Sequence, residues 1–434
     1  MGKSEYTARI SRFQCMASDL GLDGLLVTHL PDVRYLCGFS GSSGVLLLLT
    51  DGAYLVTDFR YREQSRLEVV GARTVMQDAG IEKALREVLA ERARKEAHGR
   101  KRKGSGAEAG VAIGKKAARA GGAGEEKGVG RPGGGGVPGA GGRLEEGKRP
   151  ASDPGGGGGG AKKGAPIALG FDPEHLPYAE VVRLRRALRG MARLVPLKSS
   201  LAALRAPKSP SELKLIRRGI NIAQRAFREA LRGIDGRTTE TALAAAIDAV
   251  GRSLGAEAPS FETIVASGKR GALVHARPSR SRLAGAAVID WGVVHEGYRT
   301  DCTRTLAVGR VPTELRRAHA LVLEAQERAL EVARQGVRAR EVDGAARDLI
   351  EKAGYGKAFG HGLGHGVGLE VHERPHVGAA SRDVLEEGMV FTVEPGIYLP
   401  GVGGVRVEDM AVVTRDGAEL LTTLPRTLDI SDYV

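Results

Sequence analysis

Apolar residues recur along this chain in two rhythms, the first of them interrupted by a long stretch that has neither. Short apolar runs at 25–28, 44–49 and 54–57 read as strands, with Pro31-Asp32 and Asp51-Gly52 as turns between them. The spacing at 81–93 and 179–188 predicts helices, and 167–170 a further strand. Strands alternating with helices predict an α/β sheet. Beyond residue 199 the rhythm changes. Ser209-Pro210-Ser211-Glu212 is a capping box with proline at the first helical position, opening a helix to about 231. Helices are expected again at 238–254, 312–335 and 341–353, and strands at 286–290, 305–308, 389–394 and 405–413. Helices grouped with hairpins predict an α+β layer fold. Within the first zone, residues 96–165 hold almost no large apolar side chains, and glycine runs at 133–136 and 155–160. Such a segment cannot bury enough surface to offset the entropy of ordering, so it is expected to be a disordered insert in a surface loop of the first zone.

Composition changes this picture in three places. A length of 434 residues and 42% hydrophobic content allow two or three domains with sizeable cores. The net charge of +13 would suggest nucleic acid, but residues 92–163 hold 17 Lys/Arg against 7 Asp/Glu and so carry +10 of it. That leaves the rest nearly neutral and argues against a nucleic-acid binder; the insert is expected to be a solvated loop with no required role, the alternative being a binding protein that uses its basic run at 100–103 to hold RNA, an acidic partner or a membrane. No apolar run approaches the ~20 residues needed to cross a membrane, and Met1 to Tyr6 offer no apolar signal core. Cys15, Cys37 and Cys302 are too few and too scattered for a disulfide framework, so a cytoplasmic location is expected.

The candidate chemistry lies in the last third. Asp290, Asp301, His365, Glu394 and Glu408 each sit in a short motif of their own. One imidazole with four carboxylates is a hard, oxygen-rich set that suits Mn²⁺, Mg²⁺ or Co²⁺ over a thiolate-bound zinc. So many carboxylates fit two adjacent cations better than one. Asp290 and Asp301 flank a turn expected at His295-Glu296-Gly297, and are expected to face each other across a hairpin. Arg406 and Glu408 are expected to share one face of a single strand. Each residue alone reads as an ordinary turn residue or surface charge; their order and joint context point to one site.

Those motifs carry a resemblance. Asp290-x-Gly292, Thr300-Asp301-x-Thr303-Arg304-Thr305, the stretch from Gly360 to Gly368, Val371-His372-Glu373, Val393-Glu394-Pro395-Gly396 and Arg406-x-Glu408-Asp409 resemble the pita-bread metallopeptidases. That is the family of Xaa-Pro aminopeptidase, prolidase and methionine aminopeptidase. The run from Pro31 to Gly44 looks like that family's amino-terminal domain. The resemblance implies a creatinase/ribonuclease H-like α/β domain at 1–198, interrupted by the insert, and an α+β pita-bread catalytic domain at 199–434. It implies that Asp290 chelates one metal, that Asp301 and Glu408 bridge two, and that His365 and Glu394 hold the second. Glu394 would also shuttle a proton to the leaving nitrogen, and His372 would stabilise the tetrahedral oxyanion. His361 and His275 would contact the substrate around its proline. Arg406 would stand beside substrate and hold a metal-binding carboxylate. Val274 and Arg270 depart from the residues common in the family near His275.

The resemblance further implies two divalent ions, Mn²⁺ first with Co²⁺ or Zn²⁺ as alternatives, peptide substrates with proline second, and a homodimer. A Xaa-Pro aminopeptidase is the first expectation and a prolidase limited to dipeptides the runner-up. Methionine aminopeptidase fits less well, given the large amino-terminal domain and the extra histidines. Relatives that have lost the ligands serve as binding modules, and creatinase-like members act without metal; the complete ligand set argues against both.

Overall fold

A computed structural model of the chain describes residues 2–104, 165–198 and 200–434. The first part is built on a six-stranded sheet in the order Arg73–Gln77, Gly52–Asp58, Val45–Leu49, Gly24–Val27, Ile167–Phe171, Ala192–Pro196. The three expected strands at its heart are antiparallel neighbours, with Leu26 opposite Leu47 and Leu47 opposite Tyr54. Ile167–Phe171, which follows the insert in sequence, pairs parallel beside Gly24–Val27. The central strands are buried on both faces, which is why they read as unbroken apolar runs instead of alternating ones.

Several elements depart from expectation. Pro31-Asp32 is not a turn: it lies in the first turn of the helix Leu30–Cys37, where proline needs no partner for a missing N–H. The helix Lys3–Asp19 escaped the periodicity reading because its buried face is short, holding Arg9, Ile10, Phe13 and Ala17. The helix starting at Ile81 runs to Gly104, beyond the expected end at 93 and into the first residues assigned to the insert. The disorder expected of that insert falls on 105–164, outside the described residues.

In the second part the capping box at Ser209 forms as expected. Ser209 accepts from the Glu212 N–H at 3.3 Å, and Glu212 accepts from the Ser209 N–H at 2.8 Å. The helix Pro210–Leu231 that it opens buries Ile216, Ile220, Ala223 and Phe227 on one face. Phe227 stacks on Trp291 at 3.9 Å, and the Trp291 indole N–H donates to the Ala223 carbonyl at 3.0 Å. A buried side chain of the size of Phe227 contributes roughly 1.5–3 kcal/mol, and Ala223 and Phe227 seat the strand Gly285–Trp291, sharing a core with Ile289 and Trp291. Helix Glu240–Ser253 completes one pair, and Thr313–Val332 with Ala339–Lys352 forms another.

Two sheets meet beneath these helices. One holds Ile264–Ser267, Gly285–Trp291 and Cys302–Val308; the other holds five strands around Val390–Val393 and Asp409–Val413. The single strand expected at 405–413 is two. Gly403–Arg406 pairs with Gly396–Leu399, while Asp409–Val413 pairs with Val390–Val393. One antiparallel ribbon is therefore interrupted on both strands, at Glu394-Pro395 and at Val407-Glu408. Pro395 cannot donate to a ladder, which favours the break. Arg406 and Glu408 consequently do not share a strand face; Glu394 and Glu408 are instead presented together at the bend.

A buried ionic seam joins the two parts. Arg205, 2% exposed, pairs with Asp32, Glu370 and Glu373, and Lys208 also meets Glu373. His29 lies between Asp32 and Glu370, 3.2 Å from each, and stacks on His175. Burial opposes a charge on His29, but hydrogen bonds to the two carboxylates outweigh it and raise its pKa to about 9.

Candidate active site

The hairpin from Gly285 to Val308 turns at Glu296-Gly297, both with positive φ, as the expected turn requires. Its register places Asp290 opposite Thr303, not Asp301. The two aspartates are diagonal neighbours: Asp301 lies two residues before Thr303, just ahead of the strand Cys302–Val308. The Thr-Arg-Thr run between the sheets explains its own composition. Thr303 donates to Glu408 at 2.7 Å, Arg304 to Asp409 at 2.7 Å and to the Glu408 carbonyl at 2.6 Å, and Thr305 to the Arg406 carbonyl at 2.9 Å. Three successive side chains thereby tie the aspartate hairpin to the bend that carries Glu408.

His365 is presented by the strand Gly364–Gly366. A Cβ on Gly364 would run into the Thr392 carbonyl, so glycine is needed for the strands to approach. Its Nε2 faces Glu394 Oε1 at 3.4 Å and Asp301 Oδ2 at 3.6 Å. Its Nδ1 lies 3.1 Å from the Gly366 carbonyl, which places the proton there and leaves the Nε2 lone pair toward the carboxylates. Burial, then the neighbouring His372, hold His365 neutral, with a pKa down to about 3.

All nine residues singled out in the sequence line one cavity of about 580 Å³: His275, Asp290, Asp301, His361, His365, His372, Glu394, Arg406 and Glu408. Asp290, Asp301, Glu394 and Glu408 gather there around the Arg406 guanidinium. Arg406 donates to Asp290 Oδ2 at 2.6 Å, to Thr303 at 3.0 Å and to the Tyr398 hydroxyl at 2.9 Å. Its donors are thus committed within the cavity wall. Asp290 Oδ1, Asp301 Oδ1 and Glu408 Oε1 are buried without a hydrogen-bond partner. Burial and mutual repulsion hold Asp301 and Glu408 well above the usual carboxylate range. Burial, aided by Asp290 and opposed by Arg406, raises Glu394 to about 8. Buried orphan oxygens around a free imidazole lone pair fit divalent cations.

Sequence reading missed the residues that hold this set in place. Tyr398 stands 3.0 Å from His361 Nε2, and Thr392 donates to Glu394 at 3.3 Å. Asp343 and Arg347 on one helix bond the backbone of Leu363, Phe359 and His361. Thr392 and Tyr398 flank the Glu394 motif, two and four residues away, and that proximity was the available signal; Asp343 and Arg347 carried none.

Residues 214–415 match the model of metallopeptidase family M24, and residues 9–116 that of the creatinase/prolidase N-terminal domain. An uncharacterized peptidase of Bacillus subtilis is 31% identical over 424 residues, covering 97% of this chain and 99% of its own. The chain belongs to metallopeptidase family M24. It is an M24 enzyme of the Xaa-Pro branch, with a creatinase-type amino-terminal domain before a pita-bread catalytic domain. A Xaa-Pro dipeptidase of Pyrococcus horikoshii is 40% identical over 263 residues, 60% of this M24 chain and 74% of that one. The solved structure of a Xaa-Pro dipeptidase from Bacillus anthracis superposes with a TM-score of 0.77 at 31% identity, covering 98% of this chain and 99% of the other. As a metallopeptidase of this family the protein uses divalent metal. No described helix is long and apolar enough to cross a membrane.

Proposed function

We propose that this M24 enzyme hydrolyses the bond between an N-terminal residue and a following proline, with dipeptides as its preferred substrates. From the sequence alone an aminopeptidase is the first expectation; the relatives named as Xaa-Pro dipeptidases support the dipeptide reading over it. The observation that carries the chemistry is the ring of ligand-type side chains with three orphaned carboxylate oxygens around one cavity.

Asp290, Asp301, His365, Glu394 and Glu408 would hold two divalent cations, Mn²⁺ first, with Co²⁺ or Zn²⁺ as alternatives. Bound there, the cations supply a water nucleophile at neutral pH and polarise the scissile carbonyl. The chain's own groups do the rest. Glu394, at the bend, accepts a proton and returns it to the leaving nitrogen. His372 lines the cavity and its pKa is lowered, by burial and then by His275, so a neutral N–H is available to the developing oxyanion. His361 has both nitrogens engaged, Nδ1 with the Gly362 carbonyl at 2.7 Å and Nε2 with Tyr398. With its pKa down to about 4, chiefly through burial, it serves as a fixed neutral wall for the residue after the cleaved bond. His275 shapes the proline side. Arg406 orients Asp290 through its hydrogen bond to Oδ2.

A homodimer follows from the resemblance, and a cytoplasmic setting is supported by three unpaired cysteines, two of them buried. The deciding test compares Ala-Pro with Ala-Pro-Ala after loading with Mn²⁺. Faster cleavage of the dipeptide is expected. Efficient cleavage of the tripeptide at its first bond would restore the aminopeptidase reading, and cleavage of neither would remove both.

A further inference from the structure

His275 reaches the cavity on a loop, residues 267–279, whose path is set from two sides. On one side the turn Gly268–Ala272 lies flat against the strand Gly403–Arg406. A Cβ on Gly271 would meet the Gly404 nitrogen at 3.1 Å, and one on Gly404 would run into the Gly271 carbonyl. Arg406 also donates to the Val274 carbonyl at 3.4 Å. On the other side stands Glu240, the first residue of the helix Glu240–Ser253 and 0% exposed.

One Glu240 carboxylate receives both ends of the loop. Its Oε1 accepts from the Ser267 N–H at 2.8 Å and the Ser267 hydroxyl at 3.2 Å. Its Oε2 accepts from the Ser279 N–H at 3.0 Å, the Ser279 hydroxyl at 2.7 Å and Arg270 Nε at 3.0 Å. Arg270 then donates to the Arg277 carbonyl at 2.6 Å, two residues past His275. The N–H groups of Glu240 and Thr241 donate to the Ser281 and Ser279 carbonyls, each at 3.0 Å. A buried carboxylate with this many donors is a charge-assisted clamp, and it stays ionised because the hydrogen bonds outweigh burial and lower its pKa. Arg270 is one of the two residues that depart from the family's usual choice here, and the geometry gives it a purpose: its guanidinium spans two sites that a shorter side chain could not.

We propose that Glu240 is a positioning residue for peptide binding, acting through Arg270 and Ser279 to hold Val274, His275, Ala276 and Arg277 as one wall of the cavity. This rests on reading the cavity as the peptide site. None of the five candidate metal ligands lies on the loop, and Arg406 meets it only through the long bond to the Val274 carbonyl at 3.4 Å, so the effect of Glu240 falls on substrate binding.

The test uses the full Mn²⁺-loaded enzyme and the variants Glu240→Gln and Arg270→Ala. Loss of binding shared by ground and transition states raises KM at constant kcat; roughly tenfold is expected for Glu240→Gln and about threefold for Arg270→Ala, with kcat within about twofold. Mn²⁺ affinity should be unchanged, and hydrogen exchange over 268–279 should quicken in both variants. Arg270 is 35% exposed, so its truncation keeps the test alive if Glu240→Gln fails to fold. An unchanged KM in Arg270→Ala overturns the proposal, as does a joint fall in kcat and Mn²⁺ affinity, which would mean general damage. If the wild type cleaves no Xaa-Pro peptide, the functional reading falls, and exchange over 268–279 alone decides whether Glu240 holds the loop.

Discussion

At Arg406 a single guanidinium bonds a carboxylate, a hydroxyl of the neighbouring strand and a tyrosine that itself holds His361. A lysine in its place keeps the charge but not the fork. Arg406→Lys should weaken Mn²⁺ binding by about 10–100-fold, read by metal titration; unchanged affinity would remove Arg406 from the metal-holding set. The carboxylates it faces make a second prediction. With Asp301, Glu408 and Glu394 raised, the metal-free site carries protons at neutral pH that cations must displace. Calorimetry at pH 7 in buffers of different ionisation enthalpy should show proton release on Mn²⁺ binding. The linkage to stability has a definite sign. Groups whose folded pKa exceeds the unfolded value bind more protons when folded, so the metal-free protein should lose stability as pH rises from ~4 toward 8, and Mn²⁺ should restore it. A metal-free melting temperature that rises across that range would contradict this.

Among elements, the interrupted ribbon decides the geometry, and here the sequence was only partly legible. Helices with capping signals, such as Pro210–Leu231, could be read because their determinants are local. The candidate ligands could be singled out because each sits in a compact motif, and the structure brings them to one cavity. The break at Val407-Glu408 could not, since apolar and polar residues alternate from Val405 to Glu408 as in one strand, with no Gly or Pro at the break, while the partner strand changes sheet. The offset of Asp290 and Asp301 was hidden for a related reason: a turn can be recognised without fixing which residues oppose each other. Glu240 was silent because a helix-starting glutamate ordinarily faces water and the dipole. Close approach of strands is testable at Gly364. Gly364→Ala places a methyl group against the Thr392 carbonyl, and should cost at least about 2 kcal/mol and abolish tight Mn²⁺ binding, measured by urea unfolding and titration. Wild-type stability in that variant would mean the strands part freely.

For the whole molecule, the seam of His29, Asp32, Arg205, Glu370 and Glu373 joins the amino-terminal sheet to the catalytic part. His29 has a folded pKa near 9 against an ordinary 6.5. Its contribution is therefore complete below about 6.5 and disappears as pH rises through 9. His29→Gln should destabilise by on the order of 1–2 kcal/mol at pH 6 after allowing for solvent screening, and hardly at all at pH 9.5, as shown by urea midpoints. An equal loss at both pH values would assign the residue to packing alone. The seam also ends close to the chemistry. Glu370 belongs to it, and His372, two residues on, lines the cavity. Changes at positions 29, 32 and 205 are therefore expected to be felt at His372. Across descendants of this chain, residue 29 and residue 370 should be exchanged as a pair, and lineages that alter one alone should carry a compensating change near His372.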